Sequence, residues 1–355
     1  MEAVGRWFLH SGIQEENGGV ARYYRSDVGR NAGVSTEITG YAVSALLFLF
    51  ERTGKTEYLD AGLRAARFLT RVAWDAQLGT FPFEHAANGD RSGQLAYFFD
   101  CGIIVRGLLA AWRVTGQNEF KDIATSAGRA MLQDFSSAGV IQPILELPGK
   151  QPRPHQTRWS TSPGCYQLKA AMAWHDLFEC TGEKDFQHAY ESAVDRALST
   201  HEDFLPGEPD PERVMDRLHA YAYFLEGLLP VVSRPDCIAV FRAGLARIAG
   251  YLEEIATRFV RSDVYAQLLR ARLCGESLGV APLDCAAASR EAEHLTSFHL
   301  HSEDPRIDGG FGFGSKRGEM LPFVNPVSAA FAMQSLAWWS DRGNNMLKAD
   351  RQALI

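Results

Sequence analysis

Two kinds of hydrophobic segment alternate along the chain. Residues 37–52, 97–114, 163–180, 216–232, 262–275 and 325–340 are apolar on nearly every side at helical spacing, which is the pattern of a helix buried all round. Residues 2–12, 57–73, 118–134, 184–200, 236–257 and 284–299 instead carry charge on one face and an apolar stripe on the other, the pattern of a helix half in water. With 2–12 counted as the partner of the last buried segment, there are six of each. The alternation predicts an inner ring of six helices inside an outer ring of six, in one domain spanning 1–355.

A repeated joint supports the ring. Three apolar segments run into Thr53-Gly54, Thr115-Gly116 and Thr181-Gly182, and four residues after each glycine an aromatic (Tyr58, Phe120, Phe186) opens the next amphipathic segment. The joints lie 62 and then 66 residues apart, and a near-fixed period means stacked or ring-closed helix pairs. Inner-to-outer connections are short. Outer-to-inner connections, 17–36, 74–95, 136–162, 202–214 and 300–324, are long and rich in Gly, Pro and aromatics, with the short 258–261 joint as the exception. Short β-like runs at 19–24, 79–83 and 310–313 predict hairpin elements at one face, the face where long loops place binding and catalytic groups.

Three stretches carry a resemblance. Trp159 to Leu198 with Cys165-Tyr166-Gln167-Leu168, His219-Ala220-Tyr221-Ala222-Tyr223-Phe224-Leu225-Glu226-Gly227-Leu228-Leu229, and Asp308-Gly309-Gly310-Phe311-Gly312 leading to Asn325 resemble the six-hairpin (α/α)6-toroid group of carbohydrate-active proteins. That group includes unsaturated glucuronyl hydrolases and the helical domain of glucuronyl C5-epimerases. The resemblance implies an all-α (α/α)6 toroid with a central funnel that takes a carbohydrate, uronate-containing or another polysaccharide fragment. It implies a glycoside hydrolase, lyase or epimerase working by side-chain acid and base without a cofactor. In the glucuronyl hydrolases an Asp near an inner-helix start is general acid and base, and the resemblance carries that role to Asp100. The superfold hosts unrelated functions. A terpenoid-cyclase-like or prenyltransferase-like toroid stays as one alternative, although no Asp-rich metal run is present. A non-catalytic glycan-binding or scaffold protein is the other.

Asp100 also stands out on its own, because it interrupts the apolar run 96–104, where an unpaired charge is costly. Glu37, after Ser35-Thr36, either satisfies free N–H groups at a helix start or faces the funnel with Tyr41. Asp216, His219, Tyr223 and Glu226, spaced three, four and three residues apart, share one helix face. They either transfer protons through His219 or Tyr223 or close an internal network. Asp100, His219, Glu37 and Tyr223 are therefore the catalytic candidates. Candidate sugar contacts are Tyr41, Arg22, Tyr24, His85, Arg158, Trp159, Asp216, Glu226, Asp263, Phe311 and Asn325, a mixture of aromatic faces, carboxylates and Arg that suits a sugar ring and a uronate. Glycoside hydrolysis takes two carboxylates, and Asp100 pairs on paper with Glu37, Asp216 or Asp263.

Composition narrows the classes. A net charge of −7 without long charge blocks argues against a nucleic-acid partner. The histidines lack His-x3-His spacing and no acidic loop has EF-hand spacing, so no metal site is expected. Six cysteines without CxxC spacing read as free thiols, and no signal segment or membrane span is visible, which together suggest the cytoplasm.

Overall fold

The structure, a computed structural model, describes residues 1–85, 93–137, 139–156, 158–205 and 210–355. Among the described residues it holds twelve α-helices: α1 (Glu2–His10), α2 (Thr36–Thr53), α3 (Thr56–Phe68), α4 (Phe98–Thr115), α5 (Asn118–Asp134), α6 (Leu168–Thr181), α7 (Lys184–Thr200), α8 (Pro211–Leu228), α9 (Pro235–Ile255), α10 (Ser262–Ser277), α11 (Cys285–Thr296) and α12 (Pro326–Gly343). The chain divides into two compact units. One comprises residues 14–22 and 32–197; the other comprises 1–13, 23–31 and 198–355.

The first unit contains the three Thr-Gly joints, and their chemistry is the same each time. Gly54, Gly116 and Gly182 sit at φ 69°, 68° and 74°, the left-handed region, and their N–H groups bond to Phe50, Trp112 and Phe178 carbonyls. A left-handed glycine ends a helix while satisfying one of its orphan carbonyls. The preceding threonine works in both directions. Its hydroxyl donates to the carbonyl four residues back, at 2.7, 2.7 and 2.8 Å. It accepts from the N–H two residues on, at 3.3, 3.2 and 3.2 Å. Tyr58, Phe120 and Phe186 are then almost fully buried, which pins the first turn of each outer helix.

Within this unit α2 packs on α3 and α4, and α4 on α5 and α6. The inner helices approach closely because glycines face each other: a Cβ on Gly107 would lie 2.6 Å from the Gly40 carbonyl oxygen, and one on Gly102 would strike the Ala170 backbone. Arg106 of α4 and Asp176 of α6 are joined at 2.9 Å, both almost wholly buried. In the second unit α10 packs on α8, α11 and α12, and α1 packs on α12 as the outer partner expected for it. Here Glu226 of α8 and Arg270 of α10 form the corresponding buried ion pair.

Two inner helices begin elsewhere than the hydrophobic pattern predicts. α8 starts at Pro211 rather than 216, because the Asp210 carboxylate caps the Glu212 N–H at 3.0 Å and Pro211 occupies the first turn, where its missing N–H costs nothing. α6 starts at Leu168 rather than 163, after a tight turn at Cys165–Gln167 in which the Gln167 side chain accepts from the Gly164 N–H.

The β elements are short hairpins within loops, joined by three pairings between loops. Val20–Ala21 pairs with Val34–Ser35. Tyr24–Arg25 pairs with both Arg30–Asn31 and Phe323–Val324. Leu95–Tyr97 pairs with Ile144–Glu146, and Phe259–Arg261 with Gly314–Lys316. The run at 79–83 makes a single bridge, Asp75 to Thr80, because Asp75 Oδ1 turns the chain by accepting from the N–H groups of Gln77 and Leu78. Four of these strands lead within two residues into an inner helix: Val34–Ser35 into α2, Leu95–Tyr97 into α4, Phe259–Arg261 into α10 and Phe323–Val324 into α12. The strand pairing fixes where each helix begins, and so fixes the side chains of its first turn. Among the described residues no helix is long and apolar enough to cross a membrane.

Candidate functional site

In the first unit, the strand-to-helix joints hold two carboxyls. Glu37 occupies the first turn of α2 and Asp100 the first turn of α4. A helix N-terminus favours a carboxylate, but burial opposes the charge more strongly here. Asp100 is 4% exposed, and its Oδ2 is sealed from solvent without a hydrogen-bond partner among the described residues. Burial, and then repulsion from Glu37, lift the Asp100 carboxyl well above its usual range, against the pull of Arg22. Burial raises Glu37 to about 7, again opposed by Arg22. Two like charges oppose one another in such a place, so burial of both carboxyls, and for Asp100 the nearby Glu37 charge, favour the protonated forms, with Glu37 at about 7.

The groups around the pair are positioned by the same loops. Arg22 follows the Val20–Ala21 strand, forms an ion pair with Glu84 and lies over the Phe83 ring at 4.8 Å. Tyr97 stacks at a tilt on Phe83, 5.0 Å between centroids. Its hydroxyl is pushed up by burial and by Asp100, while Arg153, Arg158 and Arg22 pull the other way. Arg158 is exposed, and Trp159 packs edge-on against Tyr166 at 5.0 Å. Tyr41 is buried one turn after Glu37. His85 stands edge-on to Phe68 at 5.4 Å. Tyr97 and Glu84 escape the sequence reading. Their signal was weak: one reads as part of an apolar run, the other as a loop acid beside His85.

In the second unit, the polar stripe of α8 is answered by a polar stripe on and before α10. Arg261 grips Asp263 with two bonds, Nε to Oδ1 at 3.0 Å and Nη2 to Oδ2 at 2.6 Å, and donates to Asp216 at 2.9 Å. Its guanidinium also lies over Phe313 at 4.6 Å. His219 Nδ1 is 2.8 Å from Gln267 Oε1 and 3.5 Å from Asp263 Oδ2. The Tyr223 ring meets the His219 ring at 4.5 Å, edge to face. Burial, with Arg261 adding to it, lowers His219 to about 4, so the imidazole is neutral at pH 7.

Some expected sugar contacts are committed to other work. Glu226 is fully buried and ion-paired with Arg270, whose guanidinium stacks on Phe331 at 3.9 Å. It anchors α8 to α10 instead of facing a substrate, because a carboxylate so deep needs a cation at hand. Asn325 caps α12, its Oδ1 accepting from the N–H groups of Val327 and Ser328 at 2.8 and 3.1 Å. Phe311 is buried against His299, and Tyr24 is buried with Arg306 over its ring at 5.2 Å. These assignments needed the packing, since a capping Asn and a substrate Asn read alike in sequence.

Among the described residues one group of possible metal ligands comes together, His175, Asp176 and Glu179 of α6, with ligand atoms within 4.8 Å of one another. A search for His-x3-His spacing passes over it because the fourth residue is Glu. Asp176 is already neutralised by Arg106 at 2.9 Å, and Arg113 adds to the positive field that holds its carboxylate low, at about 2. The group is therefore closed by an ion pair and offers a cation little net negative charge.

No protein-family profile matches the sequence, and no curated protein matches it either. Solved structures do match the fold. A cellobiose 2-epimerase from Spirochaeta thermophila DSM 6192 superposes with a TM-score of 0.73 at 15% identity, covering 95% of this chain and 94% of that one. A D-mannose isomerase gives 0.68 at 9% identity over 95% and 96%. The unsaturated glucuronyl hydrolase of Bacillus sp. GL1, responsible for the degradation of glycosaminoglycan, gives 0.67 at 14% over 96% and 95%. At such identities the likeness establishes the fold, and the chain has the all-α (α/α)6-toroid fold that these enzymes share.

Proposed function

We propose that this chain is a carbohydrate-active enzyme that moves protons at a sugar ring by side-chain acid and base. Asp100 is the proton donor and Glu37 its proton-accepting partner. The observation that carries the reading is the pair of carboxyls at the starts of α2 and α4: Asp100 is pushed well above its usual range, its buried Oδ2 without a hydrogen-bond partner among the described residues, and Glu37 lies at about 7. A structural carboxyl so buried is normally paired. A donor and an acceptor tuned apart by environment are what general acid–base chemistry needs near neutral pH. Hydrolysis, elimination and epimerisation of sugars all draw on that pair.

The fold supports the choice of substrate class, since solved structures with it are named for action on cellobiose, mannose and glycosaminoglycan. Arg22 and Arg158, both felt electrostatically by Tyr97, suit the carboxylate of a uronate, and the Trp159 ring suits the apolar face of a sugar. In the other compact unit His219, neutral and ringed by Gln267, Asp263 and Tyr223, is a candidate proton carrier by its own surroundings. A terpenoid-cyclase-like reading expects an apolar lining without carboxyl pairs, and the Glu37–Asp100 pair speaks against it.

The test is turnover of a panel of oligosaccharides, including unsaturated uronates, β-linked glucose disaccharides and free hexoses, by the wild type and by Asp100→Asn and Glu37→Gln. Each variant should lose about 10²- to 10⁴-fold in kcat, the usual worth of a positioned acid or base. Undiminished turnover in both variants would overturn the assignment.

A further inference from the structure

The Gln267 side chain is fully buried and touches His219 twice. Its Nε2 donates to the His219 main-chain carbonyl at 3.4 Å, and its Oε1 lies 2.8 Å from His219 Nδ1. The first contact decides the amide orientation, because turning the amide over would set its oxygen against a carbonyl oxygen. With Oε1 fixed at the ring, the atom facing Nδ1 can only accept, so Nδ1 must carry the hydrogen. Asp263 Oδ2, 3.5 Å from the same nitrogen, is a second acceptor, and Arg261 holds that carboxylate in place with two bonds. In a neutral ring the lone pair then belongs to Nε2, and among the described residues no hydrogen bond of His219 uses that atom.

We infer that Gln267 is the positioning residue that locks His219 in its Nδ1–H form, making Nε2 the ring atom able to accept a proton from a bound sugar. The inference rests on the reading of this chain as a sugar-directed proton-transfer enzyme. Fixing the tautomer of a histidine through its second nitrogen is how a fold selects which ring atom does chemistry. A glutamine does this without adding charge. A carboxylate in its place would favour the imidazolium, which cannot accept. The other groups facing the ring are Asp216 and Tyr223 from α8, Asp263 from α10 and Arg261 from the strand before it. Burial and Arg261 keep the ring neutral, while Asp263, the Gln267 hydrogen bond and Asp216 pull the other way.

Nitrogen NMR of protein labelled at histidine, with His219→Asn to assign the signal, reads the tautomer without any substrate. The wild type should show a hydrogen-bearing Nδ1 and a bare Nε2 at pH 7. Gln267→Leu should lose that preference and drop kcat by about tenfold or more, the lower range for a proton-transfer group, with KM nearly unchanged. Gln267→Glu should keep the tautomer and shift the acidic limb of the pH profile upward. A wild-type ring protonated at Nε2, or a folded Gln267→Leu enzyme with unchanged tautomer and kcat, would overturn the inference. Should Gln267→Leu fail to fold, the upward shift in Gln267→Glu decides, and an unmoved limb counts against it. Lost turnover in Asp100→Asn beside full turnover in Gln267→Leu would sink this role alone. A wild type inert toward every sugar of the panel would sink the functional reading, and the base role of Nε2 with it, leaving the spectrum to decide the tautomer.

Discussion

Asp100 was legible in the sequence because a charge inside the apolar run 96–104 demands a physical explanation. Its neighbour was not: Glu37, Asp216 and Asp263 were equal candidates for a pairing, and the packing of α2 against α4 brings Glu37 within electrostatic reach of Asp100. Gln267 was invisible for the opposite reason, since a neutral amide in a helix raises no alarm until its neighbours are known. The Glu37 carboxyl is raised from an ordinary unfolded value of 4.5 to about 7 on folding. Its protonated form is thus the one the fold prefers. That stabilising contribution is complete below the unfolded value and is lost as pH climbs through the folded one. Melting temperature should therefore fall between pH 5 and pH 8 by less in Glu37→Gln than in the wild type, as read by calorimetry across that range. An identical slope in both proteins would contradict the burial argument.

At the level of elements, the Thr-Gly joint shows how much a two-residue signal can specify. The threonine hydroxyl and the left-handed glycine together satisfy the helix end and launch the next helix, so the pattern predicted both boundaries to within a residue or two. Replacing Thr115 with Ala removes the bonds to Ala111 and from Gln117 and should cost about 1–2 kcal/mol, given roughly 1 kcal/mol per net hydrogen bond. Gly116→Ala forces a Cβ into the left-handed region at φ 68° and should cost about 1–2 kcal/mol. Urea midpoints of the two variants check both figures. The starts of α6 and α8 were misjudged because capping by Asp210 and the turn at Cys165–Gln167 add or remove polar residues that hydrophobic periodicity does not count.

For the molecule as a whole, each compact unit has a buried ion pair between neighbouring inner helices, Arg106–Asp176 in one and Glu226–Arg270 in the other. Glu226→Ala would leave Arg270 buried without its carboxylate and should destabilise the protein by about 3–5 kcal/mol. Arg71→Ala breaks the exposed pair with Glu119 and should cost under about 1 kcal/mol. Equal urea midpoints for these two variants would refute the contrast. The sequence alone determined the alternation of buried and amphipathic helices, their number and the Thr-Gly joints, because apolar periodicity and turn chemistry are local and written every few residues. Only the tertiary structure decided which polar groups meet. The electrostatic coupling of Glu37 to Asp100 and the contacts of His219 with Gln267 and Glu226 with Arg270 join residues 44 to 63 positions apart. Whether a buried carboxyl is anchored by a cation, as Glu226 is by Arg270, or pushed toward its protonated form, as Asp100 is, depends on the neighbours that packing supplies.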